Sequence, residues 1–301
     1  MVDILQSKVI RPDKLTWYML VGDKTDIKPA GEFPAGSGHT IANGSRFFEN
    51  KTEIRYEYND GSWNPVGQVD LTPPADGKTR LYCNFEDLCL SPVVGFALDG
   101  ECIVDWGDST TPTPMAGTSL AAIKTATHTY SEPGKYVITV SLSEGSEIGL
   151  GGTNYGSMLI TPGGVKTPLG QGYRNSLHKL VIGSGVNLNI SSSIRNSYSL
   201  VHVELSDDID NISDATFFGC MSLVSIVIPE SVSTIGGSAL ANLHGLTFVK
   251  FVSEEPPTLS ASNAFEALPR DCVIYVPEGT LEDYTSATNY PDDSVYTYVE
   301  Y

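Results

Sequence analysis

Basic residues are scarce in this chain. Its 301 residues include 18 Lys+Arg against 36 Asp+Glu, a formal net charge of −18. Charged residues make up only 18%, so the acidity comes from a shortage of bases and not from an excess of charge. This excludes a duplex nucleic-acid binder, which needs clustered Lys and Arg for phosphates, and docking on anionic lipid. Long apolar runs are also missing. No stretch reaches the roughly 18 apolar residues that a membrane-spanning helix requires. At the N-terminus Asp3, Lys8, Arg11 and Lys14 interrupt any apolar core of a secretory signal, so folding in a reducing cytoplasm is expected. The five cysteines (Cys83, Cys89, Cys102, Cys220 and Cys272) are dispersed and form no CxxC pair. They read as buried apolar thiols, with a Cys83–Cys89 or Cys83–Cys102 bridge left open.

Catalytic signatures are absent too. Gly31–Gly36 has the spacing that opens a phosphate-binding loop, but Ser37-Gly38 follows where Lys-Ser/Thr is required. Gly149–Asn154 nearly gives GxGxxG, with Asn154 in place of the last glycine. No HExxH, GxSxG or EF-hand loop occurs. The histidines at 39, 128, 178, 202 and 244 are scattered, and His178 and His202 are expected to face solvent. The reading is a protein that is not an enzyme, with no catalytic residues and no cofactor. Asp105 and Asp108 can be read as a calcium pair, against the alternative that Asp108 caps its own turn, and Asp207-Asp208-Ile209-Asp210 reads as a solvated turn between repeat strands.

What is present is β chemistry. Hydrophobic residues make up 41%, enough for a core, and 29 Gly and 18 Pro punctuate the chain. The fold class expected is mainly β, in three parts: 1–78, 79–145 and 146–301. In the first, Arg55–Tyr58 alternates polar and aromatic residues, Asn59-Asp60-Gly61 supplies hairpin turn chemistry, and Trp63 begins a return strand. The segment Gly44–Val66 (GSRFFENKTEIRYEYNDGSWNPV) resembles short hairpins of phage fibre and tail proteins.

In the second part, strands are expected at Thr79–Phe85, Val93–Leu98, Cys102–Trp106 and Lys135–Leu142. Val104-Asp105-Trp106-Gly107-Asp108, followed by His128-Thr129-Tyr130 and Gly134-Lys135-Tyr136-Val137-Ile138, resembles the PKD-type immunoglobulin-like domain. That resemblance implies a β-sandwich with Trp106 packed between its sheets.

The third part carries an internal repeat. Leu177, Leu200, Leu223 and Leu246 are each 23 residues apart, and each opens a phrase with apolar residues at its first, fourth and sixth positions. Position 17 holds Ile194, Phe217 and Leu240, slipping by two to Phe265 in the last unit. Such a period implies a solenoid, in which stacking supplies the core that one unit lacks. The phrases Ile228-Pro229-Glu230-Ser231-Val232 and Phe217-Phe218-Gly219-Cys220-Met221 resemble BspA-like leucine-rich repeats, and Val273–Tyr284 resembles that family's closing cap.

The resemblances imply a structural protein of a bacteriophage particle, a head or tail fibre or decoration, located in the virion and synthesised in the host bacterial cytoplasm. The partners implied are other virion proteins (capsid, collar or tail) and a host surface glycan or protein, with a homo-oligomer, by analogy a trimer. Neither nucleic acid nor membrane insertion is implied. The alternative is a bacterial cell-surface adhesin of the BspA-like type. Leu15, Trp17, Tyr18, Met19 and Leu20 are the candidate virion anchor, and Tyr284, Tyr290, Tyr296 and Tyr298 the candidate distal contact surface. Charge divides the same way. Residues 1–78 hold 11 acids and 9 bases, and residues 79–301 hold 25 acids and 9 bases.

Overall fold

Among the described residues, strands account for nearly all the regular structure. A computed structural model describes residues 76–85, 89–150 and 176–301 with their side chains, and the backbone of strands between residues 3 and 65. The chain divides into two compact units, Met1–Pro74 and Ala75–Tyr301.

The first unit holds β1 (Asp3–Val9), β2 (Leu15–Gly22), β3 (Thr40–Ile41), β4 (Arg46–Glu49), β5 (Arg55–Asn59) and β6 (Ser62–Pro65). They form one sheet in the order β1-β2-β4-β5-β6, with β3 beside β2. β5 and β6 pair antiparallel, Tyr58 opposite Trp63 and Asn59 opposite Ser62. The turn residues Asp60 and Gly61 lie outside the described residues.

The second unit begins with β7 (Thr79–Phe85), β8 (Val93–Asp105), β9 (Thr113–Thr127), β10 (Gly134–Leu142) and β11 (Glu147–Leu150). β7 and β10 fall where the alternation of apolar residues puts them. β8 is one strand of 13 residues where two short strands were expected. The interruption expected at Asp99-Gly100 is absorbed inside the strand, because Asp99 pairs with both Glu147 of β11 and Thr118 of β9. β9 was not anticipated at all. Its sequence, TPMAGTSLAAIKTAT, is dominated by small residues that signal no face, and the β8 ladder holds it extended instead.

β12 (Leu177–Val181), β13 (Val186–Asn187) and β14 (His202–Glu204) come from the repeat region but belong to the same sheet, in the order β13-β11-β8-β10-β7-β12-β14. β12 lies antiparallel to β7, with Leu180 opposite Leu81. Beyond it the ladders are parallel, as a solenoid requires. β15 (Asn211–Ile212), β17 (Thr234–Ile235) and β19 (Thr258–Leu259) line one side, and β16 (Ser225–Ile228), β18 (Phe248–Phe251), β20 (Val273–Val276) and β21 (Thr297–Glu300) line another. Between β20 and β21 lies the short helix α1 (Leu281–Ser286).

The repeat core is built from the positions that the 23-residue period marks. Leu177, Leu200, Leu223 and Leu246 are all buried, as are Leu180, Val203, Ile226 and Val249, and Ile194, Phe217, Leu240 and Phe265. Two sharp turns per unit require left-handed backbone. Ser192, Ala215 and Ser238 adopt positive φ at the first turn, and Asn196, Gly219, Asn242 and Ala267 at the second. All five cysteines are buried.

Candidate functional site

The loop after β8 is held by its own side chains. Asp105 Oδ1 accepts the Gly107 N–H at 2.9 Å, and Asp108 Oδ1 accepts the N–H and hydroxyl of Thr110 at 3.1 and 2.6 Å. The other Asp108 oxygen lies 2.7 Å from His128 Nε2. Gly107 has a φ of +75°, and a Cβ there would sit 2.5 Å from the Val137 carbonyl oxygen, so this turn admits only glycine. His128 stacks on Trp106 at 4.9 Å, and Tyr130 stacks on Tyr136 at 3.8 Å. The Tyr130 hydroxyl donates to the Trp106 carbonyl at 2.8 Å, and Trp106 Nε1 donates to Thr113 Oγ1 at 2.9 Å. Burial opposes ionisation of Asp108, but hydrogen bonds from Thr110 and His128 outweigh it and hold the carboxyl below its ordinary range. Both Asp108 oxygens, Asp105 Oδ1, the Trp106 N–H and the Tyr130 hydroxyl thus have structural partners. Asp108 caps its turn and anchors His128, and no group of three or more His, Cys, Asp or Glu suited to a metal occurs among the described residues.

The cap tyrosines are spent mainly on packing. Tyr284 is fully buried against Phe251, with its hydroxyl donating to the Ser253 carbonyl at 2.7 Å. Tyr290 donates to Pro257 at 2.8 Å, and Tyr298 to Pro291 at 2.9 Å. The Tyr296 hydroxyl lies 3.4 Å from the Leu268 carbonyl. Tyr290, Tyr296 and Tyr298 are half-buried. Burial pushes the Tyr284, Tyr290 and Tyr298 hydroxyls upward, keeping them neutral donors. Leu15, Trp17, Tyr18, Met19 and Leu20 all lie on β2, whose backbone pairs with β1, β3 and β4. Their side chains lie outside the described residues.

His202 corrects the expectation of solvent exposure. It is buried on β14, with Nε2 3.1 Å from Glu204 Oε1. The same oxygen meets the buried Lys179 ammonium at 2.5 Å, and that ammonium also lies over the Tyr82 ring. Burial raises the Glu204 pKa, but hydrogen bonds from His202 and Lys179 outweigh it, and the net shift is downward.

The feature that pattern reading passed over is the outward face of the β16-β18-β20-β21 sheet. Residues alternate in a strand, so if positions four and six point into the core, positions three, five and seven point out. Register aligns Ser225, Phe248, Val273 and Thr297 in one row and Val227, Lys250, Tyr275 and Val299 in the next. Val252, Pro277 and Tyr301 extend the grid by a third row. Val227, Val252, Val299 and Tyr301 are 43, 39, 37 and 47% exposed, four of the eight large apolar residues exposed among those described. Phe248 and Tyr275 meet edge to face at 5.7 Å, and Lys250 Nζ sits 3.5 Å above the Tyr301 ring centre. No side chain in these rows is acidic, in a chain with 36 acidic residues; position five next meets one at Glu204 on β14, beyond Val227, where it is paired with Lys179. A face of exposed valines and half-buried aromatic rings without acidic side chains, on an acidic protein, has the composition that contact surfaces use. The signal for it lay in the same repeats, at the alternate positions.

Residues 172–267 match the BspA type leucine rich repeat region, in six copies. No curated protein and no solved structure matches the chain. The chain therefore carries a BspA-like leucine-rich repeat region, and its parallel ladders have the solenoid arrangement such repeats imply.

Proposed function

We propose that this chain is a non-enzymatic structural and adhesive protein of a bacteriophage particle. In this reading the Met1–Pro74 unit attaches to capsid, collar or tail. Residues 79–145 are a PKD-like immunoglobulin-type module serving as a spacer. The leucine-rich repeats offer the contact face to a host or its surroundings, with assembly as a homo-oligomer. The observation that carries the adhesive part is the outward sheet face, where apolar and aromatic side chains stand exposed with no carboxylate among them. The packing of Trp106, His128 and Tyr130 supports the PKD-like reading, since it gives each residue of that resemblance a structural task. The phage setting rests on the Gly44–Val66 hairpin resemblance and on the near-neutral charge of the first 78 residues beside the acidic remainder.

The match to BspA type repeats favours a second reading, a bacterial cell-surface adhesin. Mass spectrometry of purified virions and of cell walls from uninfected bacteria separates the two. Stoichiometric peptides of this chain in virions support the first. Peptides only in the uninfected walls reject it in favour of the second.

A further inference from the structure

We infer that the outward sheet face recognises a protein partner through the apolar side of an amphipathic helix bearing one carboxylate, and that it does not recognise a glycan. This rests on the reading above that the face is a contact surface. The size of the face comes first. Four strands about 4.8 Å apart, with rows of like-facing residues about 6.7 Å apart, give about 400 Å². This is half the roughly 800 Å² per partner of a stable complex, so the face suits a small, transient contact such as a single helix and not a permanent dimer of this chain. A helix is about 10 Å wide, and about 14 of its residues span the 20 Å of the grid.

Hydrogen bonding decides between ligand classes. Across the sheet the strand backbone is engaged in the ladders, with the outer edge of β21 lacking a described partner strand, and the face itself offers little beyond the hydroxyls of Ser225 and Thr297, the phenols of Tyr275 and Tyr301 and the ammonium of Lys250. The Tyr301 phenol is already committed, donating to the Phe251 carbonyl at 3.0 Å. A glycan brings many hydroxyls, each costing free energy when buried without a partner. A helix satisfies its own backbone and presents only an apolar stripe. Charge then sets the remaining requirement. Lys250 is the only charged residue of the face and has no carboxylate partner among the described residues, its ammonium resting on the Tyr301 ring. One carboxylate at the matching point of the helix completes that site. A second carboxylate would meet only the repulsion of an acidic protein.

The test pans a displayed library of helical peptides of about 14 residues against the full chain, using the Val299→Glu chain to subtract binders that ignore the face. Enrichment of sequences with apolar residues at helical spacing and one central Asp or Glu is expected. Binding of the best peptide should fall about tenfold when its carboxylate becomes an amide, in line with close interfacial charge pairs. The Lys250→Glu chain should instead prefer the peptide with Lys at that place. In parallel the chain is applied to an array of neutral and acidic oligosaccharides. Sugar binding abolished by Val299→Glu, with no face-dependent peptide, overturns the helix while leaving the face a contact surface. No ligand of either kind sensitive to Val299→Glu overturns both. Val227 and Val299 are substantially exposed, so their variants should melt near the parent, and Lys250→Met provides a second, uncharged variant.

Discussion

Asp108→Asn is the sharpest test of the packing around Trp106. The native carboxylate accepts two bonds from Thr110 and one interaction with His128, and its side chain is only 15% exposed. Hydrogen bonds to a charged group contribute about 1.5–3 kcal/mol. Asparagine keeps one carbonyl acceptor, so a loss of about 2 kcal/mol at pH 7 is expected. The pH dependence has a definite sign. The folded-state pKa of Asp108 is depressed, so the unfolded chain binds its proton at higher pH than the folded one does. Its contribution is therefore complete above the unfolded value of about 3.9 and disappears as pH falls through the lower folded value. Urea unfolding of the parent and Asp108→Asn chains, both carrying Trp17→Phe and Trp63→Phe so that Trp106 is the one remaining tryptophan, measures the difference across pH by fluorescence. The gap between the two chains should be full at pH 7 and narrow steadily below pH 4. A gap that stays constant with pH, or a loss below about 0.5 kcal/mol at neutrality, would refute the idea that the ionised carboxylate secures this loop.

Other expectations follow from the same geometry. Phe217→Ala removes a fully buried ring from the repeat core and should cost about 3–5 kcal/mol in denaturant unfolding. Gly219→Ala places a side chain at φ +71°, with its Cβ 2.5 Å from Asn196 Oδ1, and should cost about 1–2 kcal/mol, whereas Asn242→Gly at the equivalent turn should cost less than half of that. Burial pushes the Cys102 thiol up to about 11 and the Cys220 and Cys272 thiols up to about 12. A thiol reagent at pH 8 should accordingly leave all five cysteines of the native protein unmodified and titrate all of them in denaturant, and fast native labelling would show that the packing is wrong.

Legibility followed the size and spacing of side chains. The repeat core was readable because stacking forces one apolar residue into the same place in every unit, and Leu177, Leu200, Leu223 and Leu246 obey without slip. β7 and β10 were readable because Leu81 and Ile138 belong to alternating runs, and they meet across the ladder. β9 was not, because Ala116, Gly117, Ala121 and Ala122 carry too little apolar surface to mark a face, and its extended form comes from pairing with β8. His202 was misplaced for a different reason. Local pattern assigns an outward residue to solvent, yet His202 shares the Glu204 carboxylate with the buried Lys179, and the ring is buried beside that pair. That arrangement depends on three positions in two repeats, which no single phrase contains.

The outward face shows the converse effect. A repeat is recognised by what recurs, and recurrence is enforced only where packing demands it. Positions four and six must be apolar in every unit, so they define the period and draw attention to the core. Position five carries Val181, Glu204, Val227, Lys250, Tyr275 and Val299 across successive strands, a set with no common chemistry. The core does not ask for valine at 227 or 299, both well exposed, since a polar residue there would be better hydrated and would suit a chain of charge −18. Exposed apolar residues kept where packing does not require them need another cause, and contact with a partner is the cause consistent with their clustering on one face. The variation that hides position five from a search for periodicity is thus the same freedom that lets it carry specificity. In this protein the regular spacing builds the scaffold, and the irregular residues between those spacings form the surface on which function is proposed to rest.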